Sequence, residues 1–400
     1  MNSHLEALQP YPFERLRDLY AGVTPPAQLK PISWSIGEPK HPTPPLITEA
    51  IQANLHGLAI YPATQGPAFL REAIAQWLSH RYHLDNINPG TQILPVLGSR
   101  EALFAFTQTV VDPVKQQRVL CPNPFYQIYE GAALMAGAQP TFINADPANQ
   151  LGPDWRTVPD AVWRETALVI VCSPGNPTGN VMRLEEWAFL FEQSDRHGFV
   201  IASDECYSEI YPMDAAAPLG GLEAAQRLGR TDYRNLIMFS SLSKRSNAPG
   251  LRSGFVAGDA AWIKRFLLYR TYHGCAMSLT IAAASAAAWQ DEQHVLENRR
   301  LYQEKFDAVL PILQPVLDVQ RPPASFYLWP ITPYSDAAFA KALYAEENLT
   351  VLPGSFLARP TAQGNPGANR LRLALVAPLA ECVEAAERLA HFTLRHLEGD

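Results

Sequence analysis

Four clusters of polar residues follow short apolar runs in this chain, and their residue types could do chemistry together. Gly98-Ser99-Arg100-Glu101 follows ILPVLG, and Ser173-Pro174-Gly175-Asn176-Pro177-Thr178-Gly179 follows ALVIVC. Asp204-Glu205-Cys206-Tyr207 closes FVIASD, and Ser241-Leu242-Ser243-Lys244 follows NLIMFS. Each has a plain reading when taken singly. Gly98-Ser99 reads as a helix cap, the Pro/Gly-rich stretch as a turn, Asp204 as a solvated carboxylate and Lys244 as surface charge. Taken together they make up the set of groups that a phosphate-bearing cofactor needs. Amides at a helix start offer unpaired N–H groups and a positive dipole end to a phosphate. A lysine amine attacks a carbonyl once it loses its proton, which free lysine, with a pKa of about 10.4, holds at neutral pH.

The elements that must position these groups show in the apolar pattern. The runs are ILPVLG (93–98), RVLC (118–121), PTFIN (140–144), ALVIVC (167–172), FVIASD (199–204), NLIMFS (235–240) and SGFVAG (253–258). They are rich in Val, Ile and Leu with little alternation, as strands buried on both faces are. Helical stretches separate most of them, which predicts an α/β fold with a mostly parallel seven-stranded sheet covered by helices on both sides. SLSKRSNAPGLR leaves no room for a crossover helix, so SGFVAG is the expected antiparallel strand. In such sheets ligands bind at the carboxyl ends of the strands, so distant polar clusters meet on one rim.

After about residue 290 the texture changes. A helix over 292–316, SFYLWP (325–330), a helix near 335–347, LTVLPG (349–354), LRLALV (371–376) and a helix over 379–397 read as a smaller α+β domain. The expected division is an N-terminal arm that is part of the small domain (1–45), a large domain (46–290) and a small C-terminal domain (291–400). PISWSIGEPKHPTPP (31–45) reads as extended chain with turns.

Composition narrows the function. With 32 Lys and Arg against 39 Asp and Glu, the net charge is −7, and no basic run suggests a nucleic-acid surface. The five cysteines are scattered and form no CxxC pair, which suggests neither disulfides nor a zinc site. His80 and His83 stand at i,i+3 with nothing to complete a ligand set, so no metal is expected. The N-terminus lacks the apolar core of a signal peptide, and the stretch at 279–289 is too short to cross a bilayer. A soluble cytoplasmic protein is expected, without membrane or nucleic-acid partners.

SPGNPTG, the Asp-x-x-Tyr of DECY, and SLSK with Arg252 beyond it stand in an order and spacing that resemble the class I/II aminotransferases of fold type I. The likeness runs from IGEP (36–39) to NRLRLAL (369–375). Neither a GxGxxG fingerprint nor a GxxxxGK[ST] loop competes with it. The resemblance implies pyridoxal 5'-phosphate as cofactor, attached through Lys244. It implies Asp204 at the pyridine nitrogen, Asn176 and Tyr207 at the phenolic oxygen, and Tyr126 on the ring face, with Tyr129 as a neighbour that could also line the site. Ser241, Ser243, Arg252 and the amides of Ser99 and Arg100 would take the phosphate, joined by Tyr61 from the other subunit of a homodimer. Arg372 would hold the substrate carboxylate, with Gly37 and Asn176 close by. Arg370, two residues earlier, is the alternative clamp.

Within the family, SLSKRSNAPGLRSGF resembles the bacterial succinyldiaminopimelate aminotransferases. That implies amino-group exchange between glutamate and N-succinyl-2-amino-6-oxopimelate in lysine biosynthesis. A substrate with carboxylates at both ends wants further cations, for which Arg245 and Arg270 are the candidates. The plain reading of Arg245 and Asn247 is packing and capping. The alternatives are a broad aspartate or alanine aminotransferase, another fold-type I enzyme such as a β-lyase, and a cofactor-binding regulator. About 30 residues before IGEP leave no room for the DNA-binding domain that the regulator needs.

Overall fold

The computed structural model describes residues 2–397. Its main sheet comprises β1 (Ile93–Val96), β2 (Arg118–Asn123), β3 (Gln139–Asp146), β4 (Gly152–Pro153), β5 (Thr166–Cys172), β6 (Val200–Asp204), β7 (Leu236–Ser241) and β8 (Gly254–Gly258). The strand order is β1-β8-β7-β6-β5-β2-β3-β4. The strands β3, β2, β5, β6 and β7 are parallel, and β8 runs antiparallel to both β1 and β7. This is the expected fold with one addition. The eighth strand, β4, is a two-residue Gly-Pro piece antiparallel to the end of β3. It has no apolar run to announce it, and proline is tolerated there because the strand sits at an edge.

Both faces of the sheet are buried, and the strands show why. In β5, Leu168 and Ile170 belong to one core while Val169 and Val171 belong to the other; in β6, Val200 and Ala202 oppose Ile201 in the same way. Successive side chains point to opposite faces, so a strand between two helix layers must be apolar throughout. Each buried Leu, Ile or Phe contributes roughly 1.5–3 kcal/mol. The sheet is therefore a stiff base whose carboxyl-end rim holds its loops firmly.

A third core joins Ile32 and Trp34 to residues between Phe306 and Phe392. Ile32–Ser33 pairs in parallel with Leu349–Thr350, and Tyr327–Leu328 and Leu352–Pro353 flank Leu371–Ala374 antiparallel. The expected late helices appear as Gln293–Leu313, Asp336–Glu347 and Leu379–Leu397. The N-terminal segment thus packs with the C-terminal third and runs on past the sheet rim.

Candidate active site

A pocket of about 500 Å³ opens at the carboxyl ends of β5, β6 and β7. Gly37, Ser99, Arg100, Tyr126, Asn176, Asp204, Tyr207, Ser241, Ser243, Lys244, Arg252 and Arg372 all line it. Tyr61 alone among the expected site residues does not; it is fully exposed on the surface.

Lys244 sits in the short helix Leu242–Arg245 that begins as β7 ends. Its Nζ donates to Gly37 O at 2.5 Å, across from the sheet. Burial lowers its pKa to about 8, with Arg372 and Arg252 pushing the same way and Glu38 opposing. An amine so placed gives up its proton far more readily than an exposed lysine.

Asp204 ends β6 and is buried. Its Oδ2 accepts from Tyr129 Oη at 2.6 Å and its Oδ1 from Cys206 N at 3.3 Å. Burial raises its pKa while these hydrogen bonds lower it, so the donors work to keep a desolvated carboxylate ionised. A proton on a cationic ring nitrogen is the partner such a group favours.

The opposite end of the pocket suits an anion. The helix Ser99–Val110 starts there with Gly98 as N-cap, at φ +90° and without a side-chain cap. A Cβ on Gly98 would lie 2.5 Å from Arg252 Nη2, so only glycine lets the guanidinium rest over the helix start. Arg252 is held by Pro249 O (2.8 Å) and Leu97 O (3.3 Å). Ser241 Oγ and Ser243 Oγ lie 2.9 Å apart beside it. Unpaired helix amides, hydroxyls and a guanidinium together fit a phosphate dianion.

Arg372 lies on the facing wall, buried, with Nη2 on Ser35 O (2.7 Å) and Nη1 on Asn176 Oδ1 (3.2 Å). Its buried Nε has no partner among the described residues. Tyr327 packs under the guanidinium at 4.7 Å and its hydroxyl meets that of Tyr207 at 3.0 Å. Arg370 donates to Trp329 O and lines a different groove. Of the two arginines left open by spacing, Arg372 is the one in the pocket.

Two expectations are overturned. Arg245 is buried away from the pocket, donating to Ala288 O (2.7 Å) and Glu292 Oε1 (2.5 Å) and stacking on Trp289. Arg270 is buried against Glu101, both of whose oxygens it engages at 2.8 and 3.0 Å. Neither reaches the site. Both were proposed from charge alone, and their carboxylate partners are distant in sequence. Two exposed cations line the pocket among the described residues: Arg252 over the helix start, and Arg100, whose Nη2 donates to Tyr11 Oη at 2.6 Å.

Tyr11, Phe13, Glu38, Cys206 and Tyr327 also line the pocket without having been singled out. Cys206 stands inside the DECY motif and its Sγ lies 2.9 Å from Ser99 Oγ. Its place in the turn just after the strand end, between Asp204 and Tyr207, was the available signal. Nothing in the sequence marked Tyr11.

A deep lysine, a buried carboxylate and a helix-start anion cradle on this α/β sheet define a fold-type I pyridoxal-phosphate site. The family model for aminotransferase class I and II matches residues 30–389, and the chain belongs to that family. It is similar to a solved aminotransferase from Neisseria meningitidis, with 55% identity, 98% and 99% of the two chains covered and a TM-score of 0.95. Aminotransferase AspB from Helicobacter pylori shares 35% identity over 97% and 100% of the chains, with a TM-score of 0.89. Among curated relatives, an LL-diaminopimelate aminotransferase from Dehalococcoides mccartyi is 30% identical over 98% of each chain. The cofactor of the family is pyridoxal phosphate, and the residues described above fit it. When bound, it supplies an aldehyde that takes up amines and a ring that accepts the electron pair released at the substrate α-carbon.

Proposed function

We propose that this aminotransferase exchanges an amino group between glutamate or 2-oxoglutarate and N-succinyl-2-amino-6-oxopimelate, in diaminopimelate and lysine biosynthesis. The observation that carries the reading is that two guanidiniums line the pocket besides Arg252 at the anion cradle: Arg372 buried at the inner wall and Arg100 exposed near solvent. Two such forks suit a long substrate with a carboxylate at each end. The diaminopimelate named for the Dehalococcoides relative favours a second reading, in which free LL-diaminopimelate is the amino donor. A glutamate-coupled assay with succinylated and free diaminopimelate separates the two. Turnover of neither would overturn both and favour a broad aspartate- or alanine-type aminotransferase.

In this reading Lys244 would hold the cofactor through its amine and, once released, would take up and return the proton at the substrate α-carbon. Asp204 would meet the pyridine nitrogen, Asn176 and Tyr207 the phenolic oxygen, and Tyr126 the ring face. Ser241, Ser243, Arg252 and the amides of Ser99 and Arg100 hold the phosphate. Arg372 and Gly37 receive the substrate's α-carboxylate end, beside Asn176. A homodimer completes the site with Tyr61 of a second copy, which its full exposure, next to exposed Leu58 and Ile60, supports. The reading divides the chain into an arm (1–45), a large domain (46–290) and a small domain (291–400). It places the protein in the cytoplasm; no helix among the described residues is long and apolar enough to cross a membrane.

A further inference from the structure

The three residues directly after Lys244 turn away from the pocket and grip one helix, Gln293–Leu313, or the chain leading into it. Arg245 holds Ala288 O and Glu292, as described. Ser246 Oγ lies 2.8 Å from His294 Nε2, and Asn247 Nδ2 donates to Asn298 Oδ1 at 3.0 Å. Asn298 is 2% exposed. Its own Nδ2 reaches back to Lys244 O at 3.2 Å and Arg245 O at 3.5 Å.

The other end of the lysine is linked to the same residue through a segment of chain. Asn298 Oδ1 also lies 2.8 Å from His41 Nδ1. Because the amide oxygen only accepts, His41 donates there through Nδ1–H. His41 belongs to the segment that carries Gly37, whose carbonyl receives Lys244 Nζ. A loop of contacts therefore closes: lysine backbone to Asn298, Asn298 to His41, the His41 segment to Gly37, and Gly37 to the lysine amine. One amide orientation satisfies all four of Asn298's bonds, two given and two received. No other side chain of this size offers that set. Leucine would make none of them, and aspartate can only accept.

We propose that Asn298 is a positioning residue for Lys244, its buried amide fixing the lysine's main chain against the segment that receives its amine. The proposal rests on Lys244 being the reacting amine. Asn298 touches no reacting atom, so its effect is on where Nζ points. With the clasp cut, the short helix is free to shift and the amine regains water.

The test is Asn298→Asp, which keeps shape and both acceptor bonds but removes both donors. In the full chain freed of cofactor, the pH dependence of acylation at Lys244, read by peptide mass spectrometry, gives the amine's pKa. That pKa is about 8 in the native protein because burial disfavours the charged form. Re-solvation raises it, and a rise of about one unit makes labelling at pH 8 roughly fivefold slower. In the loaded enzyme, kcat falls about tenfold or more while KM for glutamate moves far less. Asn247→Ala and His41→Phe each cut one bond without adding charge, and shift the labelling midpoint the same way by less. A native midpoint and native kcat in Asn298→Asp overturn the proposal. If that variant does not fold, native midpoints in both lesser variants overturn it. Lys244→Ala run in parallel keeps the readings apart: persistent transamination there would sink the assignment of Lys244 itself.

Discussion

The pocket has two walls that are built differently. The sheet-side wall carries Asn176, Asp204, Ser241 and Lys244, each at or just beyond the end of a strand buried on both faces. Their positions follow from backbone pairing: Cys172 pairs with Asp204, and Asp204 with Phe239. The facing wall carries Gly37, Tyr327 and Arg372, which come from strands of two to four residues and from irregular chain. Here side chains do the fixing. Arg372 bridges Ser35 O and Asn176 Oδ1, joining chain segments far apart in sequence. A wall set by a stiff ladder holds its groups whether or not ligand is bound. A wall set by a few side-chain bonds depends on each of them. Substitutions on the first should therefore remove chemistry, and substitutions on the second should change how substrate is held.

The largest effect should come from the sheet side. Lys244→Ala should abolish transamination, since no other lysine among the described residues lines the pocket. Borohydride reduction of the loaded wild-type protein followed by peptide mapping should mark Lys244. A mark on a different lysine would break the comparison at its root.

On the facing wall, Arg372→Ala should reduce kcat/KM for glutamate and for the long oxo acid by similar factors, because each presents an α-carboxylate. Losing one partner of a buried charged pair costs about 2–5 kcal/mol, on the order of 30- to 5,000-fold. A loss confined to one substrate would mean that Arg372 does not hold the shared group.

Arg100 sharpens the contrast further, because it sits near solvent, where a charge pair contributes about 1 kcal/mol or less. Arg100→Ala should lower kcat/KM for the long substrate by a few-fold relative to glutamate. Arg245→Ala and Arg270→Ala should leave that ratio unchanged and lower the unfolding midpoint, since each removes a buried guanidinium paired with a partly exposed carboxylate. An altered ratio in either, with Arg100→Ala neutral, would return the distal role to the buried arginines.

This split also explains what could be read before the structure was known. Buried parallel strands announce themselves as unbroken Val/Ile/Leu runs, so the residues after them were legible as a rim. So was the antiparallel β8, from the short link before it. The two-residue strands carry no pattern, and Gly37 and Arg372 were reached only through family resemblance. Tyr327, in SFYLWP, and Tyr11 were not reached. Arg245 and Arg270 show the limit of charge as a guide, because a guanidinium far from its partner in sequence looks free until the fold pairs it.

The smallest effect is expected beside the pocket's buried carboxylate, on a group that faces the other way. Asp204 points into the pocket, while Glu205 turns into the core. There it accepts from Tyr82 Oη (2.9 Å), Ser203 Oγ (2.7 Å) and Gly221 N (2.8 Å). Burial is the largest cause raising its pKa, from 4.5 to about 7; these hydrogen bonds and Arg81 pull it down. Between those values the folded chain keeps a proton that the unfolded chain has lost. The stability that goes with it is complete below the unfolded pKa and is lost as pH rises through the folded one. The slope is at most about 1.4 kcal/mol per pH unit. Glu205→Gln mimics the protonated acid and should remove this slope, so its urea midpoint gains on the wild type from pH 5 to pH 8. Activity at pH 7 should stay near native, because the amide keeps the contacts in the core and touches nothing in the pocket. A constant difference in midpoint across that range would mean that Glu205 holds one charge state throughout. A large loss of turnover would mean that these neighbours at the end of β6 are coupled more tightly than their opposite orientations suggest.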